Sequence, residues 1–159
     1  MSGTSDQIAS SIVIPNKSGR AIFAAIAVLS LAGMVVSSIS LQRHYAKSAT
    51  QFCDFSEKFN CDIVNRSEYA TLMGIPVAGI GVAGYAFLLV LATAYRTRIE
   101  TPLRLLLASV AGLAYALYLT YVEAYVLDIW CILCLSSLAM ITSITLLAGA
   151  LKMWSRGGA

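Results

Sequence analysis

Four cysteines are the residues of this chain best suited to chemistry, and they form two unlike pairs. Cys53 and Cys61 (C-x7-C) lie in a polar stretch, whereas Cys131-Ile132-Leu133-Cys134 is a CxxC inside an apolar one. A disulfide from Cys53 to Cys61 would stabilise by about 2.5 kcal/mol through the entropy it removes from the unfolded chain. Taken alone, that pair reads as a staple. The CxxC does not. Helical residues three apart hold their Cβ atoms about 5–6 Å apart, and a disulfide needs about 3.8 Å. The bond forms only where the first helical turn is distorted, so it is strained and easily reduced, and its short loop adds little entropic stabilisation. Thiols at a helix N-terminus also feel the positive end of the helix dipole, which favours thiolate. These are the properties of a redox-active pair. A thiolate attacks a disulfide sulfur through a mixed disulfide, so two pairs on one face make a relay. Oxidising a dithiol releases two electrons and needs a two-electron acceptor. No haem, flavin or metal motif is visible in the sequence, and a membrane quinone is the natural candidate.

The elements that position these thiols are written in the composition. The chain is 58% hydrophobic and 12% charged, with a mean hydropathy of +0.78, where soluble domains carry about a quarter charged residues. Four stretches lack Asp, Glu, Lys and Arg: 21–42, 69–95, 105–122 and 129–151. Each reaches the roughly 18–20 residues that a helix needs to cross about 30 Å of hydrocarbon. This excludes a soluble enzyme, a disordered chain and a nucleic-acid binder built on a basic face. The expectation is an all-α membrane protein in one domain, 1–159: a four-transmembrane-helix bundle with a long extracytoplasmic first loop. The spans are expected at about 21–42, 74–95, 104–127 and 131–151, with an N-terminal tail 1–19 and a redox loop 43–73. The apolar run after Lys17 and Arg20 lasts 22 residues, too long for the roughly 7–15 of a signal peptide's core.

Topology follows from the cations. Lys17, Arg20, Arg96, Arg98, Arg104, Lys152 and Arg156 fall on one side of four spans, against Arg43, Lys47, Lys58 and Arg66 on the other. Seven against four places both termini in the cytoplasm. Two spans separate the cysteine pairs, and an even number of crossings returns the chain to the same face. All four thiols are therefore expected on the extracytoplasmic side, where disulfides persist.

At these residues the sequence resembles the vitamin K epoxide reductase family. The resemblance rests on Cys53…Cys61, then Asp62-Ile63-Val64-Asn65-Arg66-Ser67 with its serine six residues beyond the second cysteine. It continues through Gly74-Ile75-Pro76…Gly81…Gly84-Tyr85 and ends at the CxxC, covering about residues 20–150. It implies a disulfide-forming quinone reductase. Cys53 would exchange with a separate thioredoxin-fold thiol oxidase, Cys61 would pass electrons to Cys131, and Cys134 would face the quinone. Ser67 would lie by the quinone head group or help hold the loop cap, and Tyr85, Trp130, Leu138 and Val77 would complete the quinone site. Ubiquinone or menaquinone would be the acceptor, with no metal. A monomer in the lipid bilayer of a bacterial or archaeal inner membrane would need no nucleic acid. Two departures from the animal branch matter. Ser136-Ser137-Leu138-Ala139 stands where that branch has a Thr-Tyr-Ala run, and the apolar Pro76-Val77-Ala78-Gly79 replaces an asparagine. Plain quinone reduction is expected over epoxide chemistry, and vitamin K epoxide reduction proper is the alternative. No thioredoxin-like domain follows residue 151, so the partner is expected to be separate. From other classes, a non-catalytic four-span protein with structural disulfides and a four-cysteine zinc site are the competing readings.

Other residues carry plainer readings. Tyr115, Tyr118, Tyr121 and Tyr125 recur at near-helical spacing, as in an aromatic belt, or as lining for a quinone pocket. Trp130 reads as an interface anchor whose ring could also stack on a quinone. Glu123, near a span end, is either functional or within reach of water. Phe52, Phe55 and Phe59 interleave with the loop cysteines, as in a cap that dips into the membrane interface, or as residues that only pack the loop down. His44 reads as an exposed interfacial residue. Gly74, Gly79, Gly81 and Gly84 allow close helix approach. Residues 62–73 are expected to form a short surface helix, with Ile63, Val64, Ala70 and Met73 dipping inward and Asn65, Arg66 and Glu68 staying wet.

Overall fold

The computed structural model describes residues 17–45, 54–56, 59–98 and 100–157. Its first helix, α1 (Lys17–Tyr45), sets the logic of the whole molecule. The buried positions are Phe23, Ile26, Ser30, Gly33, Ser37 and Ser40, alternating three and four residues apart along one stripe. Most of that stripe is small or polar. The outward face carries the large apolar side chains, with Val28 65% and Val35 59% exposed. A water-soluble helix would do the reverse. Small residues inside and branched aliphatics outside suit a helix that packs closely on its neighbours and shows its apolar face to lipid.

Short strands β1 (Asp54–Ser56) and β2 (Phe59–Asn60) follow, then helix α2 (Cys61–Arg66), a 3-10 turn (Glu68–Ala70) and strands β3 (Thr71–Leu72) and β4 (Ile75–Pro76). Helix α3 (Val77–Thr93) leads to α4 (Thr101–Val122), which runs on as a π turn (Glu123–Leu127), and α5 (Ile132–Gly157) closes the chain. Among the described residues, Lys17–Tyr45, Thr101–Leu127 and Ile132–Ser155 are long and apolar enough to cross a membrane. Helix α3 is apolar but has 17 residues, which at 1.5 Å each reach about 26 Å. The chain is an all-α membrane protein.

Helix α1 packs chiefly on α3 and α5, and α4 on α5, while α3 and α4 touch much less. Phe23, Ile26, Tyr85, Leu88, Leu91, Leu105, Ile141, Ile144, Ala148 and Leu151 form the core. Gly33 is the tightest crossing, because any Cβ there would land within the Tyr85 ring. Among the glycines singled out from the sequence, Gly81 makes a comparable approach, to Ser37, whereas Gly84 has open space beside it. Several helix hydroxyls turn back on their own helix, as Thr142 does to the Leu138 carbonyl and Thr145 to that of Ile141. That keeps them satisfied where water is scarce.

The segment before α3 differs from the single surface helix expected over 62–73. Ser67 ends α2 by folding its hydroxyl onto the Val64 carbonyl at 2.8 Å. The chain then turns through the 3-10 segment into the β3–β4 hairpin. Met73 and Gly74 form the hairpin tip with φ of 53° and 82°, the left-handed pair that matches strand twist in two-residue turns. Met73 does not dip inward; it is 98% exposed, with Leu72 and Ile75 exposed beside it. Of the residues expected to face inward, Val64 is buried and Ile63 is exposed.

Candidate active site

Two separate pieces of chain bring three sulfurs to one place. Asn60 caps α2 by accepting the Ile63 N–H on its side-chain oxygen at 3.0 Å. This puts Cys61 in the first turn, buried. The cap is tied to α1 from beneath: Asn65, itself buried, accepts from Ser40 Oγ at 2.6 Å and donates to the Cys61 carbonyl at 2.9 Å. His44 Nδ1 lies 2.5 Å from the Asn65 carbonyl oxygen. His44 is thus a partly buried strut of the cap and not the exposed residue expected, because α2 folds back over the end of α1. Replacing Asn65 with alanine leaves the Ser40 hydroxyl and the Cys61 carbonyl without that partner. It is expected to cost about 2–3 kcal/mol, read as a lower thermal unfolding temperature in detergent.

On the other side, the chain leaves α4 through the π turn, and Asp128 adopts a left-handed conformation (φ 48°) that reverses it. Ile129 N–H then returns to the Glu123 carbonyl at 3.2 Å. Residues 129–131 run extended beside the cap, with Phe59 and Trp130 in a parallel bridge and Asn60 N–H donating to the Trp130 carbonyl at 3.2 Å. The Cys131 carbonyl accepts the Leu135 N–H at 3.0 Å and so opens α5. Cys131 is therefore the helix-capping residue and Cys134 lies in the first turn, so the non-helical backbone needed to bring two such sulfurs together is supplied by the cap position.

The Cys131 thiol, 0% exposed, interacts with the thiols of both Cys134 and Cys61. Cys131 and Cys134 are free thiols here. Glu123 completes the cluster. Its Oε2 accepts the Cys131 N–H at 3.1 Å, and a carboxylate oxygen and the sulfurs of Cys131 and Cys134 lie within 4.8 Å of one another. The residue is 1% exposed, not within reach of water. Among the described residues this group holds three donors, Glu123, Cys131 and Cys134, where a closed tetrahedral zinc set has four.

Cys134, less buried than Cys131, lines a cavity of about 410 Å³ between α3 and α4, walled by α1, α2 and α5. Its size falls in the roughly 300–1,000 Å³ range of small-molecule sites. The walls are mostly apolar, with polar points at Ser67, Asn65, Glu123 and a Tyr85–Ser137 pair. Tyr85 hydroxyl meets Ser137 Oγ at 2.9 Å and donates to the Ser137 carbonyl at 3.0 Å. A flat apolar ring system with oxygen at its edges fits such a lining.

Of the residues singled out from the sequence, Ser67, Val77 and Tyr85 line this cavity. Trp130 and Leu138 do not. Trp130 sits in the extended segment that pairs with the cap, and Leu138 lies about 100° around α5 from Ser137. Tyr115 lines the cavity, while Tyr118, Tyr121 and Tyr125 are exposed on the outer face of the bundle. Cys53 and Phe52 lie outside the described residues, as does the side chain of Phe55. Asn65 and Ser137 were missed. Ser137 had a signal, three residues beyond Cys134 on the same helical face; Asn65, expected to stay wet, is instead buried, because it reaches back to Ser40 of α1.

The model of the vitamin K epoxide reductase family matches residues 24–148, a stretch that holds all four cysteines, Glu123 and the lining of the cavity. No curated protein matches the chain.

Proposed function

Because the chain belongs to the vitamin K epoxide reductase family, an oxidoreductase family of the membrane, we propose that it is a thiol–disulfide:quinone oxidoreductase. In this reading four helices span the membrane, α3 among them, with both termini in the cytoplasm and the cap on the extracytoplasmic side. A thioredoxin-fold thiol oxidase hands two electrons to the Cys53–Cys61 disulfide. Cys61 then passes them to Cys131, and Cys134 faces ubiquinone or menaquinone in the cavity.

One observation carries the proposal: three cysteine sulfurs from two chain segments converge, and the least buried of them opens onto an apolar cavity. The quinone supplies the two-electron sink. The protein's own residues do the rest. The Asn60 cap and the Asn65 network hold Cys61 against Cys131. The capping position of Cys131 lets its sulfur exchange with either neighbour. The Ser137 hydroxyl, beside that of Tyr85, is placed to orient a ring oxygen, and the apolar walls exclude water.

The exchange step has a direct test. In a Cys53→Ser/Cys134→Ser double variant, the remaining Cys61 and Cys131 are expected to form a mixed disulfide. Mass spectrometry of the non-reduced peptides reads it, and its absence under an oxidant defeats the relay. In parallel, the wild-type protein with a reduced thioredoxin-fold donor should consume added quinone.

A further inference from the structure

Among the described residues, three buried side-chain oxygens lack a hydrogen-bond partner: Ser30 Oγ, Asp62 Oδ1 and Glu123 Oε1. Glu123 alone of these lines the cavity. An unpartnered buried oxygen is costly, and such groups in native structures usually have a task. The carboxyl is anchored at one end and open at the other: Oε2 holds the Cys131 N–H, and Oε1 is uncommitted. It stands where sulfur and cavity meet.

Oxidising the CxxC by a quinone breaks two S–H bonds and forms one S–S bond. Two electrons and two protons leave, and the product is a hydroquinone. The electrons can pass at contact. The protons need a carrier, because Cys131 is fully buried and the cavity wall is apolar. The titratable groups around the site are few. Cys131 and Cys134 come from the start of α5 and Cys61 from α2. Across the cavity stand His44 of α1, Tyr69 of the 3-10 turn, Tyr85 of α3 and Tyr115 of α4. Tyr85 is engaged with Ser137, and His44 with the Asn65 carbonyl. The Glu123 carboxyl is the group beside both sulfurs of the pair.

Resting on the quinone-reductase reading, we propose that Glu123 is a catalytic residue that carries the thiol protons of the CxxC to the acceptor. It takes the Cys134 proton, releases it into the cavity, and returns as carboxylate for the proton of Cys131. Glu123 begins and ends each turnover unprotonated, so the balance closes with no further reactant.

The test uses the full-length protein in lipid nanodiscs. Glu123→Gln keeps an oxygen for the Cys131 N–H but cannot carry a proton. Two outcomes should stay at wild-type values: thermal unfolding, and reduction of the Cys131–Cys134 disulfide by dithiothreitol without quinone, read by maleimide mass shift. Reoxidation of the pair by added menaquinone should slow by about 10²-fold or more. It should also acquire a slope of about tenfold per pH unit, because the thiol must then ionise to solvent. Glu123→Asp should recover part of the rate and lose the slope. Glu123→Ala, which also drops the backbone anchor, should be as slow as the Gln variant and unfold at lower temperature. A Gln variant that reoxidises at the wild-type rate with the wild-type pH profile overturns the proposal. So does slowing without the pH slope, which marks a structural role. A wild-type protein whose CxxC no quinone reoxidises would instead defeat the underlying functional reading, which the dithiothreitol arm leaves untouched.

Discussion

Replacing Cys134 with serine is expected to lower quinone reduction by about 10³-fold or more, the scale seen when a group that bonds covalently in the reaction is removed. Cys134 is the cysteine of the pair that opens onto the cavity, and Cys131 is sealed behind it. The two serine variants should therefore fail differently. With Cys134→Ser, Cys131 still meets Cys61, and electrons stall as a mixed disulfide between them. With Cys131→Ser, no such species forms, because Cys61 loses the sulfur beside it. Following the quinone absorbance together with a non-reducing peptide map separates the two. Equal turnover in wild type and Cys134→Ser would remove Cys134 from the reaction.

The second large effect is on packing. Gly33→Val places branched carbon where the Tyr85 ring already lies. Neither α1 nor α3 can swing away cheaply, since Ile26, Leu88 and Tyr85 belong to the same buried core. Overpacking of this kind costs about 1–3 kcal/mol, and a displaced ring also loses its two contacts with Ser137. The expected result is a marked fall in thermal unfolding temperature together with weaker quinone binding. Tyr85→Phe, which removes only the hydroxyl, should cost about 1 kcal/mol. If Gly33→Val were as stable as the wild type, the close α1–α3 crossing would be wrong.

The helices were legible because lipid demands long uninterrupted apolar runs, and 21–42, 105–122 and 129–151 could be nothing else. The cysteines were legible as chemistry because few residue types do so little else at such spacing. Features that depend on breaks in periodicity were not. Glu123 precedes Cys131 by eight residues, which a regular helix would hold about 12 Å apart. A π turn and one left-handed residue, Asp128, bring the two together. Composition does not announce either device. Asn65 was hidden in the same way, since its worth lies in reaching Ser40 across the fold. Trp130 drew attention for its ring, but its backbone is what pairs with the cap. The expected surface helix failed on a local competition, because the Ser67 hydroxyl offers α2 an end before another turn can form.

The pairing of Asn60 with Trp130 has a bearing on how this protein can vary. Each partner is the residue immediately before a cysteine, Cys61 on one strand and Cys131 on the other, and the joint is made of main-chain atoms. The sulfurs are thus set opposite one another by peptide groups that every residue type except proline possesses. Position 130, which lends only its carbonyl, can drift in identity while the two sulfurs keep their alignment, and a mutational scan there should look permissive; at position 60 the Asn60 side chain is also held by its cap on the Ile63 N–H.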